Sequence, residues 1–105
     1  MAIDALINEY RRAYEAMDLN RLKAVFPSLP NPSAVQEAFD DATAVLVGMG
    51  QLKITVTSAA SATVETMLAH NFTPKVGTAR NAGQRKATFT LRKEGGRWTI
   101  VSLKM

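Results

Sequence analysis

The fold class predicted by the sequence is α+β, with helices first and an antiparallel sheet after them. Three observations carry this. Apolar residues recur at three- and four-residue spacing as far as Asp41 and at two-residue spacing beyond it. Residues 83–105 hold two alternating runs separated by Glu94-Gly95-Gly96, the pattern of a strand, a tight turn and a returning strand. Gly48 and Gly50 interrupt the first alternating run, where glycines mark a bulge or a sharp bend. Helices segregated before an antiparallel sheet define the α+β class.

Taken in order, Ile3, Leu6, Ile7, Tyr10, Ala13, Tyr14 and Met17 form the apolar stripe of a helix of about four turns. Asp18 ends it and caps a second helix, whose buried face is Leu22, Val25 and Phe26 and which Pro27 and Pro30 stop. Ser33 and Gln36 have the spacing of a capping box and open a short third helix with Val35, Ala38 and Phe39 inward. Val45, Val47, Leu52, Ile54 and Val56 then read as one long strand bent at its glycines. Ala62, Val64, Leu68 and Phe72 set the inward face of a second strand. Residues 74–83 form a loop, and the hairpin of Ala87, Phe89, Leu91 with Trp98, Ile100, Leu103 closes a four-stranded sheet. Three helices packed in the concave face of such a bent sheet leave a cone-shaped space between the two layers.

A chain of 105 residues is a single domain, 1–105, large enough to fold without staples. It has no Cys, so thiolate metal sites and disulfides are excluded. Its apolar runs are short, so no direct membrane insertion is expected, and no basic stretch leads an apolar one as in a signal peptide. Residues 1–57 carry five Lys/Arg against seven Asp/Glu, and residues 58–105 eight against two. The basic half places Lys86, Arg92 and Lys104 at polar strand positions, where charge solubilises a sheet and blocks edge pairing. No aromatic residues are interleaved with them, so nucleic acid is not an expected partner.

Tyr10-Arg-Arg-Ala-Tyr14-Glu-Ala-Met-Asp18-Leu-Asn-Arg-Leu22, Phe26-Pro27 and Gly95-Gly96-Arg-Trp98-Thr-Ile100-Val resemble the nuclear transport factor 2-like superfamily, which includes ketosteroid isomerase and polyketide cyclases. The resemblance covers almost the whole chain and implies the cystatin-like cone. Tyr14, Asp18-Leu19 and Phe26-Pro27-Ser28-Leu29-Pro30 more narrowly resemble domains of this fold appended to bacterial membrane-bound serine/threonine kinases and other sensory proteins. That implies a sensor or dimerisation domain excised from a longer bacterial protein, in the cytoplasm or in the extracytoplasmic part of a membrane protein. It also implies a homodimer built through the sheet, whose outer face carries Leu46, Met67, Thr88 and Thr90.

Enzymes of this fold set a general base and an electrophile inside the cone. Tyr10 lies eight residues before Asp18, the placement of the oxyanion-hole phenol in ketosteroid isomerase. The isomerase draws its carboxylate base from a segment between the second and third helices that here is only residues 28–31. No Asp or Glu falls at an inward strand position: Glu65 shares the outer face with Thr63 and Met67, and Glu94 is in the turn. The expected pocket walls are Tyr10, Tyr14, Phe39, Leu68, His70 and Phe89, suited to a small apolar or aromatic ligand. Lacking a carboxylate base, the pocket reads as binding without catalysis. The alternative is an isomerase, cyclase or dehydratase acting through Tyr10, Tyr14 and His70 without a cofactor, and the two readings divide on whether His70 and a Tyr hydroxyl converge across an open cavity. One His and no inward carboxylates do not make a metal ligand set.

Overall fold

A computed structural model gives the structure of the chain, described here for residues 3–77 and 83–105. Residues 78–82, within the expected 74–83 loop, and Met1 and Ala2 lie outside the described residues.

The apolar stripe of α1 (Ile3–Glu15) is buried as spaced: Leu6, Ile7, Tyr10, Ala13 and Tyr14 face the sheet. Met17 ends the helix in the left-handed region at φ 53°. The Asp18 N–H reaches back to the Ala13 carbonyl at 3.0 Å and the Met17 N–H to the Tyr14 carbonyl at 3.0 Å, so the last helical carbonyls are satisfied. Asp18 then caps α2 (Leu19–Val25), its carboxylate accepting from the Arg21 N–H at 3.2 Å. α3 (Pro32–Asp40) starts two residues earlier than the capping-box spacing predicts. Pro32 occupies its first turn, where a missing N–H costs nothing. Asn31 is the N-cap in the left-handed region at φ 48° without a side-chain cap bond, and Gln36 turns to Asp40 at 2.9 Å instead of back to Ser33.

Five strands follow: β1 (Ala42–Met49), β2 (Lys53–Ser58), β3 (Ser61–Pro74), β4 (Arg85–Glu94) and β5 (Arg97–Lys104). The single long first strand expected from the sequence is therefore two strands. They run along the same edge of β3, β1 pairing with Leu68 to Pro74 and β2 with Ser61 to Glu65. The interruption falls at 50–52, where the Gly50 N–H still bonds the Met67 carbonyl at 2.8 Å before the chain leaves the ladder. A Cβ on Gly50 would sit 3.4 Å from that of Met67, in close van der Waals contact with the facing strand.

All pairings are antiparallel, in the order β1-β3-β4-β5 with β2 also on β3. Gly95 (φ 58°) and Gly96 (φ 77°) make the two-residue turn between β4 and β5, both in the left-handed region that this turn type requires. The ladder slips once between β4 and β5: Thr90 faces Ser102 and Leu91 faces Ile100, so Val101 is an extra, bulged residue. Ser28, in the α2–α3 connection, donates its hydroxyl to the Val101 carbonyl at 2.7 Å and fastens that connection to β5. The core lies between α1 and the concave face, with Val64, Leu68, Phe89, Leu91 and Ile100 at 0–1% exposure and Leu22, Val25 and Phe26 closing one end.

Candidate functional site

The site forms where the inner stripe of α1 meets the middle of β3. Tyr10 and Tyr14 are one helical turn apart, so both phenols project from α1 onto the sheet. His70 follows Leu68 on the inward parity of β3 and lies opposite Val47 of β1. The Tyr10 hydroxyl and His70 Nε2 are 2.9 Å apart, a hydrogen bond whose direction the imidazole tautomer sets. The Tyr14 ring centroid lies 4.7 Å from the imidazole and 5.1 Å from the Tyr10 ring. Phe89 packs edge-on against Tyr10 at 5.2 Å and Phe39 edge-on against Tyr14 at 5.6 Å. The two phenols are thus held between two phenyl rings in the edge-to-face arrangement that aromatic quadrupoles favour.

Burial dominates the electrostatics. It raises the pKa of Tyr10 well above the ordinary phenol value, and the neighbouring Tyr14 phenol raises it further. Burial also raises Tyr14, although the hydrogen bond with Tyr10 pulls it partly back. The same desolvation lowers His70 below the ordinary imidazole value. At neutral pH the cluster is two phenols and a neutral imidazole, with no net charge.

A cavity of about 320 Å³ opens onto this cluster. Tyr10, Tyr14 and His70 are on its wall; Phe26, Leu29, Pro30 and Val35 border it from the helical side and Leu103 and Met105 from the end of β5. No carboxylate side chain lines it among the described residues. His70 also borders a smaller cavity of about 160 Å³ with Leu68, Arg85 and Met105. Of the six walls expected from the sequence, Tyr10, Tyr14 and His70 meet on the larger cavity. Phe39 and Phe89 stand behind the tyrosines, and Leu68, at 0% exposure, belongs to the core and the smaller cavity. The rim residues Phe26, Leu29, Pro30, Val35, Leu103 and Met105 carry no signal in the sequence, because folding brings the α2–α3 connection and the last strand together from opposite ends of the chain. Among the described residues no group of three or more His, Cys, Asp or Glu is placed to hold a metal ion. No described helix is long and apolar enough to cross a membrane.

No protein-family model matches the sequence, and no curated protein matches it. Solved structures match the fold. A candidate dehydratase of the nuclear transport factor 2-like family from Streptomyces avermitilis superposes with a TM-score of 0.79 at 12% identity, covering 96% of this chain and 89% of its own. A Xanthomonas campestris protein described as a candidate calcium/calmodulin-dependent protein kinase II association domain gives 0.77 at 14% identity over 96% and 81%. An uncharacterised Caulobacter vibrioides protein with a cystatin-like fold gives 0.74 at 16% identity over 97% and 84%. The chain has the nuclear transport factor 2-like, cystatin-like cone fold. In this cone the Tyr10–His70 pair sits on the concave side, between α1 and β3. Identities this low establish the fold alone, and the fold hosts unrelated activities.

Proposed function

We propose that the domain binds a small, uncharged, largely apolar or aromatic molecule without converting it, as a ligand-binding or association module of a larger bacterial protein such as a serine/threonine kinase. The observation that carries this reading is the make-up of the cavity: three neutral polar side chains, six apolar rim residues and no carboxylate side chain. Neutral phenols and imidazole orient a hydroxyl or carbonyl by hydrogen bonding, and burying a charged ligand beside them would cost several kcal/mol. The likeness to a kinase association domain candidate supports the module reading. A second reading, an isomerase, cyclase or dehydratase using Tyr10, Tyr14 and His70, is favoured by the 2.9 Å contact between the Tyr10 hydroxyl and His70 Nε2 on the wall of an open cavity. The likeness to a dehydratase candidate supports that alternative.

The two readings separate experimentally. Aromatic and steroid-like compounds are screened by thermal shift, and each binder is then followed for chemical conversion. The module reading expects binding that weakens in Tyr14→Phe and His70→Ala, with no product formed. Steady turnover that disappears in His70→Ala selects the enzyme instead.

For assembly, we propose a homodimer through the convex face of the sheet. Leu46 is 66% and Met67 41% exposed, and both stand on the outward parity of β1 and β3. Around them Thr63, Thr90 and Ser102 are in register across β3, β4 and β5, and Thr88 lies between Glu65 and Lys104 beside Lys86. Light scattering should give twice the monomer mass, falling to the monomer mass in the Leu46→Lys, Met67→Lys double variant. A wild-type protein that stays monomeric at high concentration would remove this part of the proposal.

A further inference from the structure

A second cleft lies away from the tyrosines. It has a volume of about 460 Å³ and sits between the first turns of α1 and the β1–β2 interruption. Ile7, Met49 and Leu52 give it an apolar lining, and Asp4, Asn8 and Arg11 bring polar groups to its wall. Asp4, Asn8, Arg11 and Glu15 are spaced so that they share one face of α1.

Arg11 is the anomaly. The residue is half-buried, yet no carboxylate lies within ion-pair distance of it among the described residues, whose ion pairs are Arg21–Glu9 and Arg92–Glu94. Its Nη2 donates to Asn8 Oδ1 at 2.9 Å, which fixes the guanidinium against the helix. Its Nε is buried with no acceptor. The acids on the same face are engaged with backbone groups: Glu15 Oε2 accepts from the Val47 N–H at 3.2 Å, and Asp4 Oδ1 from the Ala5 N–H at 3.0 Å. A cation with a desolvated, unpaired donor weakens the fold that holds it. An apolar cleft beside that cation offers what would satisfy it.

We propose that this cleft binds a small carboxylate with a short apolar tail, the carboxylate on the Arg11 guanidinium and the tail against Ile7, Met49 and Leu52. A carboxylate neutralises the charge through the planar fork that suits it best. Nε is closed to solvent in the unliganded cleft, so the fork is completed as the side chain turns toward the ligand. Asp4 opposes the bound anion and limits its affinity.

The test is an NMR titration of the full chain with sodium hexanoate, with hexanol as the uncharged control. The expected result is saturable shifts at residues 4–11 and 49–52, weaker binding of hexanol, and a loss of hexanoate affinity of roughly tenfold or more in Arg11→Gln. Asp4→Asn should bind hexanoate more tightly. Arg11→Met, measured by thermal melting, separates ligand holding from a structural role: because the unliganded arginine weakens the fold, this variant should melt no lower than wild type while losing binding. Shifts that Arg11→Gln leaves unchanged, the absence of saturable shifts in the wild type, or a marked drop in the melting temperature of Arg11→Met would each overturn the proposal.

Discussion

Replacing Trp98 with Ala should destabilise the domain by about 3–5 kcal/mol, the range for a buried aromatic truncated to a methyl. Trp98 is 8% exposed and stands on the inward parity of β5 with Ile100, across from Lys93 and beside Leu91. Helices and sheet enclose the space the indole fills, so little collapse can offset the cavity left behind. A domain of this length has only about 5–15 kcal/mol in total, so the variant should melt more than about 10 °C lower. Lys93 Nζ lies 6.0 Å from the indole centroid, a contact at the outer limit of cation–π range. Lys93→Ala should therefore cost well under about 1 kcal/mol, which separates packing of the indole from attraction to the cation. Thermal and denaturant unfolding of the two variants measure both quantities. A Trp98→Ala protein that melts within about a degree or two of wild type would contradict the assignment of Trp98 to the core.

The second large effect is on the pH profile, and it has opposite signs at the two ends. Both tyrosines of the chain are in the candidate site, so phenolate absorbance reports on the site and nothing else. Their folded-state pKa values are raised above the ordinary value of 10.0. The stabilisation from keeping them neutral is fully present below pH 10.0 and is lost as pH rises above it, because the unfolded chain ionises first. Phenolate should appear together with the loss of far-ultraviolet circular dichroism, as one cooperative step. The only His of the chain is His70, and burial depresses its pKa below 6.5. Its contribution is fully present above pH 6.5 and declines as pH falls from there through the folded-state value, because the unfolded chain takes up the proton more readily. His70→Gln should flatten that acid limb and leave the alkaline one in place. Phenols that titrate reversibly near 10.0 with the fold intact would contradict the burial described for Tyr10 and Tyr14.

The parts of the fold legible in the sequence are those where local chemistry and tertiary packing agree. The α1 stripe, the Asp18 cap and the Gly95-Gly96 turn each have one local solution, and the structure adopts it. The α3 start departs from the sequence pattern because Ser33 and Gln36 satisfy a cap spacing while Pro32, one residue earlier, already has the backbone angle of a helix. The β1–β2 break hid inside a continuous alternation. Gly48 and Gly50 mark a distortion, but the alternation alone does not say whether the strand bends or stops there. At the site, Tyr10, Tyr14 and His70 were readable because each lies on an inward parity. Phe39, Leu68 and Phe89 share that parity, and parity alone cannot distinguish a residue on a cavity wall from one in the layer behind it. Arg11 was invisible as a candidate, since a charged residue between apolar helix positions reads as solvated and only the fold shows it beside a cleft.

The bulge at Val101 has a consequence for how this domain can diversify. Before it, Trp98 and Ile100 point inward; after it the alternation is shifted by one, so Leu103 faces Phe89 and joins Met105 at the cavity. The same residues paired with β4 without the bulge would bring Ser102 and Lys104 round to that side and withdraw Leu103 and Met105. The apolar mouth would become hydroxylic and basic with no substitution at any position. Loss of the bulge at unchanged length is therefore a change of ligand preference, and homologous chains aligned without regard to this one-residue offset would pair lining residues with surface ones.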